Sequence, residues 1–263
     1  MRVAVLGLGE AGSHLAVDFV ARGDEVRGFD PGGTPTPHGV ARSRRPGDTV
    51  AGSELVLALT PGQDAAKALA DVLEDVDDGV VYADLSTSSP SLKQRLAEMA
   101  ATRDIPFVDV ALMAPIPGRG LSVPALASGT GAERFAEIMN ARGGNVEVVG
   151  DRAGEAATRK LLRSVVMKGL AAVLAESMAA GAALGKDEWL WHHLVDQLTS
   201  IDVALMERLL FDTAPHAKRR LDEMEAARGM LRDLGVPADM TEGTIAWLRR
   251  IAGGATPPLP AGR

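Results

Sequence analysis

Three glycines near the amino terminus constrain this chain more than any other feature. The first twelve residues, Met1-Arg-Val-Ala-Val-Leu-Gly7-Leu-Gly9-Glu-Ala-Gly12, place the pattern Gly-x-Gly-x-x-Gly directly after an apolar run. The apolar run predicts a short β-strand, and residues 12–22 predict a helix. In this strand–turn–helix context, such glycines hold the pyrophosphate of a dinucleotide at the helix N-terminus.

Each glycine has its own expected role. Gly7 allows a tight turn, Gly9 lets a pyrophosphate approach the backbone, and Gly12 lets the helix pack closely on the strand. The predicted cofactor contacts come from the whole turn, which consists of Gly7, Leu8, Gly9, Glu10, Ala11 and Gly12. The alternative interpretation is a glycine-rich turn without a ligand.

The choice of dinucleotide depends on Asp30, which ends the second predicted strand, Glu25-Val-Arg-Gly-Phe-Asp30, 18 residues after the last glycine. A carboxylate at about this spacing accepts hydrogen bonds from the adenosine ribose and repels a 2′-phosphate, so NAD is expected. NADP stays open because a basic loop is predicted to follow, in which Arg42, Arg44 and Arg45 could reach a 2′-phosphate. Asp30 is also a typical turn former before Pro-Gly-Gly.

Composition excludes several classes of protein. With 263 residues and 46% hydrophobic content, the chain can bury a substantial core, and two domains fit this length better than one. It has no cysteine, which excludes disulfides and thiolate catalysis. A net charge of −7 without a basic stripe argues against a nucleic-acid partner. No signal peptide is expected, and charges interrupt the apolar stretches, so we expect a cytoplasmic protein with no membrane partner.

Alternating strands and helices in the first part of the chain predict an α/β fold. Strands are expected at 2–6, 25–30, 55–60, 80–85, 107–111, 123–128 and 145–149, with helices near 12–22, 64–76, 89–103 and 131–141. Short continuous apolar strands separated by helices predict a doubly wound parallel sheet of Rossmann type. Only helical periodicity follows, which predicts an all-α second domain built on a long helix over 153–184.

The predicted domains are a Rossmann domain over 1–152 that binds NAD or NADP and a helical substrate and dimerisation domain over 153–252. Residues 253–263 are rich in Gly and Pro and are expected to be a disordered tail. Apolar residues surround most of the long helix, which needs more than one partner to bury it. A second copy of the chain is the expected source of these contacts, so we predict a homodimer.

The first turns of the long helix carry one cationic face. Lys160, Ser164 and Lys168 follow each other at intervals of four residues, and Arg163 lies beside them. A cationic face on an otherwise apolar helix must contact water, an anion or a cleft. The two interpretations are a solvated surface and a binding site for a small acidic substrate.

The helix start Gly154-Glu-Ala-Ala-Thr-Arg-Lys160 resembles the β-hydroxyacid dehydrogenase family, which includes 3-hydroxyisobutyrate and 6-phosphogluconate dehydrogenases. Asp84-Leu-Ser-Thr-Ser-Ser-Pro90 resembles the family's Asp-x-Ser-Thr-x-x-Pro loop beside the nicotinamide. The segment from Asp109 to Pro115 occupies the place of the family's substrate loop, Asp-Ala-Pro-Val-Ser-Gly-Gly. Residues 160–169 and 216–224 are similar to a branch with a distinct phosphogluconate dehydrogenase-like C-terminal domain.

The resemblance implies Lys160 as general acid/base in hydride transfer between nicotinamide and a small hydroxy acid. An ammonium is a poor base near neutral pH, and partial burial beside two other cations favours the neutral amine. Further cofactor contacts are expected from Thr60, Pro61, Ser86 and Thr87. Substrate contacts are expected from Met113, Ala114, Arg163, Ser164, Lys168, His216 and Arg220.

The chain departs from the family at the substrate loop, where Met113-Ala-Pro115 replaces Ser-Gly-Gly and removes a hydroxyl and an N–H donor. We therefore expect a substrate other than 3-hydroxyisobutyrate, and Arg163 could bind its carboxylate or phosphate through two hydrogen bonds. Two other functions stay open. One is an imine reductase of the same fold, against which the presence of Lys160 counts, and the other is a cofactor-binding sensor without turnover.

Two further features carry weaker predictions. Residues 114–120 contain too many prolines and glycines for regular structure, so they form either a substrate loop or a plain connection between strands. His192 and His193 are adjacent and therefore point to different sides of a helix, so we do not expect them to share a metal ion with a third ligand. No metal site is expected.

Overall fold

The computed structural model describes residues 1–256, and residues 257–263, which make up most of the expected tail, lie outside the described residues. The chain divides into two compact units, the first covering Met1–Arg163 and the second beginning at Ser164. The division falls inside the long helix. The domain boundary expected between residues 152 and 153 stays a prediction.

The first unit contains one sheet, in which eight strands of the described chain follow the spatial order β3-β2-β1-β4-β5-β6-β7-β8. The strands are β1 (Arg2–Leu6), β2 (Glu25–Phe29), β3 (Ala41–Arg42), β4 (Leu55–Ala58), β5 (Val81–Asp84), β6 (Phe107–Leu112), β7 (Pro124–Ser128) and β8 (Asn145–Gly150). Neighbouring strands run parallel except at the β6–β7 pair. The Rossmann-type fold expected from the sequence is confirmed.

The sheet differs from the expected parallel arrangement at β7. Residues 113–123 connect β6 to β7 through irregular backbone and one short 3₁₀ turn, Gly120–Ser122. A parallel pair needs a crossover connection, usually a helix, and without one the chain reverses, so β7 runs antiparallel to β6. Strand β3 was missed because two exposed residues leave no hydrophobic pattern, and Arg42 lies in this strand rather than in a loop.

Helices cover both faces of the sheet. Those of the first unit are α1 (Glu10–Ala21), α2 (Pro46–Val50), α3 (Ala65–Ala70), α4 (Pro90–Ala101) and α5 (Ala132–Asn140). Strand β1 shows how the two cores arise, because successive side chains point to opposite faces. Val3 and Val5 join the core that contains α1 and α5, whereas Ala4 and Leu6 join the core that contains α3 and α4. Helix α3 is shorter than the predicted 64–76 and follows a 3₁₀ turn.

The described residues of the second unit form helices joined by short connections and contain no strand, as predicted. The long helix α6 (Glu155–Ala183) begins in the first unit and is followed by α7 (Asp187–Thr199), α8 (Val203–Phe211), α9 (Thr213–Asp233) and α10 (Asp239–Ala252). Glu176 of α6 accepts hydrogen bonds from the N–H groups of Met240 and Thr241 at 2.8 and 2.9 Å, which caps α10. Burial alone would raise the pKa of Glu176, but the hydroxyl and amide donors of α10 outweigh it and lower that pKa.

Much of the apolar surface of α6 is exposed. Leu162, Val165 and Val166 are 65%, 74% and 65% exposed, and Trp189 and Trp191 of α7 are exposed as well. The most apolar 18-residue window of α6 has a mean hydropathy of 1.4 and is 11% buried. Among the helices of residues 1–256, α6 is the one that meets the length and composition of a membrane span. Charges therefore do not prevent this helix from having the composition of a span, but length and composition alone do not establish one, and the expected absence of a membrane partner stays a prediction.

Candidate functional site

The glycine turn lies at the carboxyl end of β1. Gly7 has a φ of +100°, and a Cβ there would lie 2.5 Å from the carbonyl oxygen of Leu59. A Cβ on Gly12 would collide with the carbonyl oxygen of Gly7, so the fold itself requires both glycines. Gly9 differs, because its φ is −61° and no atom lies within 4 Å of a Cβ built on it. Glycine at this position keeps open the space that a pyrophosphate needs beside the backbone.

A cavity of ≈ 860 Å³ lies beside this turn. Its walls include five of the predicted cofactor residues, which are Gly7, Gly9, Asp30, Thr60 and Pro61. The hydroxyl oxygen of Thr60 is buried and has no hydrogen-bond partner in the described part of the chain. A buried hydroxyl without a partner is costly unless a ligand or water satisfies it. The open space at Gly9 and this hydroxyl both fit a bound dinucleotide.

Asp30 ties the end of β2 to the glycine turn. Its Oδ2 accepts a hydrogen bond from the N–H of Leu8 at 2.8 Å, and its Oδ1 accepts one from the N–H of Gly32 at 2.8 Å. The remaining predicted members of the turn, Glu10, Ala11 and Gly12, form the first residues of α1. Arg42 donates to the carbonyl oxygens of Asp30 and Gly32, both at 2.9 Å, so it supports the loop after β2.

Lys160 lies in the second turn of α6, and its Nζ donates a hydrogen bond to the Thr87 hydroxyl at 3.1 Å. Thr87 belongs to the loop after β5, residues 85–89, at the carboxyl end of the sheet. This loop touches the segment after β4, because a Cβ on Gly62 would lie 2.6 Å from the carbonyl oxygen of Thr87. Ser86, Thr87 and Lys160 line one small cleft of the first unit. The structure thus brings together three predicted residues from distant segments.

A buried charged cluster that was not predicted from the sequence adjoins this cleft, and Asp109 of the cluster lies in the cleft wall. Lys93 of α4 has a side chain only 1% exposed, and its Nζ lies 2.8 Å from Asp84 Oδ2 and 3.2 Å from Asp109 Oδ1. The same Nζ donates to the carbonyl oxygen of Asp84 at 2.8 Å, and the Ser86 hydroxyl donates to Asp84 Oδ2 at 2.8 Å. Asp84 and Asp109 are direct neighbours on β5 and β6. Two buried carboxylates side by side require a cation. The signal in the sequence was an Asp within each of two predicted buried strands, 80–85 and 107–111.

The cluster also holds the start of α6. Asp109 Oδ2 accepts hydrogen bonds from the N–H groups of Gly154 at 3.1 Å and Ala157 at 2.9 Å. The Ser128 hydroxyl accepts one from the N–H of Ala156 at 3.0 Å. The first N–H groups of a helix lack partners within it, and a carboxylate at this end complements the helix dipole.

The other predicted substrate residues of the first unit do not line this cleft. Met113 and Ala114 are partly buried in the irregular connection from β6 to β7. Arg163 is exposed on α6, one turn beyond Lys160.

In the second unit, Ser164 is partly buried and Lys168 is exposed on α6. His216 is exposed on α9, and Arg220 donates to the Thr213 hydroxyl at 2.6 Å. Across residues 1–256, no group of three or more His, Asp or Glu residues is arranged to hold a metal ion.

Comparisons with known proteins agree with this geometry. Residues 2–150 match the NAD binding domain of 6-phosphogluconate dehydrogenase, and residues 182–251 match a domain of unknown function, DUF1932. A probable 3-hydroxyisobutyrate dehydrogenase of Mycobacterium bovis is 27% identical over 195 residues, which are 70% of this chain and 65% of that protein.

Two solved structures extend the likeness over nearly the whole chain. A conserved protein of unknown function, described as structurally similar to 3-hydroxyacid dehydrogenases, is 27% identical with a TM-score of 0.62, covering 96% of this chain and 97% of its own. A reductive aminase from Aspergillus terreus in complex with NADPH shares the fold at 21% identity and a TM-score of 0.79, covering 96% of this chain and 94% of its own. The first family match contains the glycine turn, Asp30 and the loop after β5. This chain therefore belongs to the family defined by the NAD-binding domain of 6-phosphogluconate dehydrogenase.

Proposed function

We propose that this chain is an NAD(P)-dependent oxidoreductase that transfers a hydride between nicotinamide and a small hydroxy acid, with Lys160 as general acid/base. The hydrogen bond from Lys160 Nζ to the Thr87 hydroxyl carries the proposal. It places an amine beside the loop after β5, at the same end of the sheet as the glycine turn. Open α/β sheets bind their ligands at this end of the strands.

The chemistry follows from these groups. Bound NAD(P) supplies the hydride acceptor or donor at its nicotinamide ring. The neutral amine of Lys160 accepts the hydroxyl proton of the substrate during oxidation, and its ammonium form protonates the alkoxide in the reverse direction. The Thr87 hydroxyl orients the amine by accepting its hydrogen bond. Arg163, one helical turn or about 4.5 Å further along α6, offers a guanidinium that binds a carboxylate or phosphate through two hydrogen bonds.

We propose NAD as the preferred cofactor. Asp30 lines the cavity with a carboxylate that repels a 2′-phosphate. Two of the basic residues that could bind such a phosphate already have partners. Arg42 contacts the carbonyl oxygens of the loop after β2, and Arg45 donates to the Asp48 carboxylate at 2.7 Å.

We also propose a cytoplasmic homodimer in which a second copy covers the exposed apolar surface of α6. Lys160, Arg163 and Lys168 interrupt this surface, and each would be costly inside a bilayer. An apolar surface of this kind on a soluble chain marks a protein interface. Light scattering should report a dimer at micromolar concentration. A monomer, or a chain that is recovered only with detergent, would contradict the proposal.

The test of the function compares Lys160→Met with Lys168→Met, after a panel of hydroxy acids has been screened by NADH formation. Methionine keeps the length of the stem and deletes the ammonium. Lys160→Met should keep its cofactor affinity and lose a factor of about 10²–10⁴ in turnover. Lys168 lies two turns away, about 12 Å along the helix axis, so its loss should be smaller. Two active variants, or the inverse order, would refute the role of Lys160.

The alternatives are separated when cyclic imines with NADPH are added to the screen. Turnover of cyclic imines with NADPH, but not of hydroxy acids, would indicate the imine reductase. Cofactor binding by calorimetry without any turnover would indicate the sensor.

A further inference from the structure

We propose that Asp109, held by Lys93, is a positioning residue that places the Lys160 amine; this inference rests on the proposed role of Lys160. Asp109 lies in the wall of the cleft that Thr87 and Lys160 line, but its side chain is 0% exposed and that of Lys93 is 1% exposed, so neither side chain is expected to contact the substrate. Their effect is transmitted through the first turn of α6 and through the loop after β5.

The link to Lys160 runs through α6. Asp109 Oδ2 accepts the N–H groups of Gly154 and Ala157, and Ala157 precedes Lys160 by three residues. One carboxylate oxygen therefore fixes the first turn of α6, both in its position along the helix axis and in its rotation about it. Lys160 lies about 4.5 Å further along the axis than Ala157. Ser128 supports the same turn, because its hydroxyl accepts the N–H of Ala156 at 3.0 Å.

Lys93 holds the carboxylate of Asp109 in one orientation. Its Nζ has three acceptors within 3.2 Å, which are the carbonyl oxygen and Oδ2 of Asp84 and Oδ1 of Asp109. The contact with the Asp84 carbonyl oxygen is a hydrogen bond. The contacts with the two carboxylates are ion pairs, and Asp109 Oδ1 has no hydrogen-bond partner among residues 1–256, so its attraction to the ammonium is what compensates for its burial. The side chains of Lys93, Asp84 and Asp109 are all at most 1% exposed, so water does not compete for the contacts between them.

The same cluster holds the other partner of Lys160. Asp84 Oδ2 accepts the Ser86 hydroxyl at 2.8 Å, and Ser86 immediately precedes Thr87. Both ends of the Lys160–Thr87 hydrogen bond are therefore attached to one buried set of charges. Because the cluster holds both segments, it fixes the distance between the Lys160 amine and the Thr87 hydroxyl.

The experiment measures the reactivity of the Lys160 amine in the full chain, without a substrate. Trace acetylation by acetic anhydride is quantified for each lysine by peptide mass spectrometry, with exposed Lys67 as the internal reference. The test variants are Asp109→Asn, which keeps the shape but removes the charge, and the milder Ser128→Ala. The matched control is Asp202→Asn, because Asp202 caps α8 through the N–H of Leu205 at 2.7 Å.

Loss of the anchor should free Lys160 from Thr87. Its acetylation relative to Lys67 should rise by about fivefold in Asp109→Asn, the effect of one net hydrogen bond, and by less in Ser128→Ala. Asp202→Asn should leave it unchanged. Wild-type reactivity of Lys160 in folded Asp109→Asn would overturn the proposal. If circular dichroism shows that Asp109→Asn does not fold, Ser128→Ala decides in the same way.

A kinetic measurement distinguishes positioning from stability. With the hydroxy acid that the wild type oxidises fastest, folded Asp109→Asn should lose about 10-fold to 100-fold in kcat, because a small misplacement of a reacting group has this effect. The KM for NAD should not change, and an unchanged kcat would overturn the proposal. If the wild type oxidises no hydroxy acid, the proposed function fails, and the acetylation result still decides whether Asp109 positions Lys160.

Discussion

Substitution of Lys93 by methionine should destabilise the first unit more than any exposed charge substitution. Methionine fills a similar volume and keeps the apolar contacts of the stem, but it removes the ammonium. Asp84 and Asp109 would then remain as adjacent buried carboxylates on β5 and β6, without the cation that lies 2.8 and 3.2 Å from them.

The magnitude follows from the burial of all three side chains. Removal of one partner from a buried ion pair costs about 3–5 kcal/mol, because the remaining charge stays in the interior without compensation. For a unit of this size, 1 kcal/mol corresponds to about 2–4 °C, so the melting temperature should fall by about 6–20 °C.

The assay is thermal unfolding followed by circular dichroism at neutral pH. The matched control is Lys67→Met, because Lys67 pairs with Asp71 on the surface and its side chain is 75% exposed. An exposed pair contributes about 0–1 kcal/mol, so this variant should melt within a few degrees of the wild type. Equal effects of the two substitutions would refute the argument that burial makes the Lys93 cluster important.

A double variant tests the cause of the loss. Lys93→Met combined with Asp84→Asn removes one of the two repelling carboxylates. It should be more stable than Lys93→Met alone, with a coupling of about 1 kcal/mol or more. A double variant that is less stable than Lys93→Met would show that packing, rather than charge, explains the effect.

Four other substitutions test the cofactor site and the second unit. Gly9→Val should fold but no longer bind a dinucleotide, as measured by calorimetry, and an unchanged affinity would contradict the role of Gly9. Gly12→Ala should instead lose stability, because there is no space for its Cβ. Asp30→Ser should narrow the preference for NAD over NADP in fluorescence titrations, and a wild type that already prefers NADP would refute the role of Asp30. The pKa of Glu176 in the folded protein is lowered below its usual value of 4.5. The Glu176 carboxylate therefore stabilises the folded state at pH values above 4.5, and this stabilisation is lost as the pH falls through the folded pKa. Glu176→Gln should therefore show a smaller loss of stability than the wild type between about pH 5 and pH 3, and parallel curves would contradict this.

Features that depend on neighbouring residues could be predicted from the amino-acid sequence. The glycine turn, the alternation of apolar strands with helices and the long helix α6 were predicted within a few residues of their observed positions. These features follow from local rules, since turn geometry and hydrophobic periodicity are properties of short segments. The reversal at β7 was missed because it depends on the missing crossover helix rather than on any pattern within the strand.

Contacts between charged residues that are distant in the sequence could not be predicted in this way. Asp84 and Asp109 lie 25 residues apart in the sequence, and nothing local distinguishes Lys93 from the exposed lysines of other helices. These three side chains are in contact because β5 pairs with β6 in one register and because α4 packs on the face of the sheet to which both carboxylates point. The contact between Lys160 and Thr87 arose in the same way, across 73 residues of sequence. Such contacts cannot be predicted from short segments, because charges interact through space and the order of strands in the whole sheet determines which residues lie near the end of a strand.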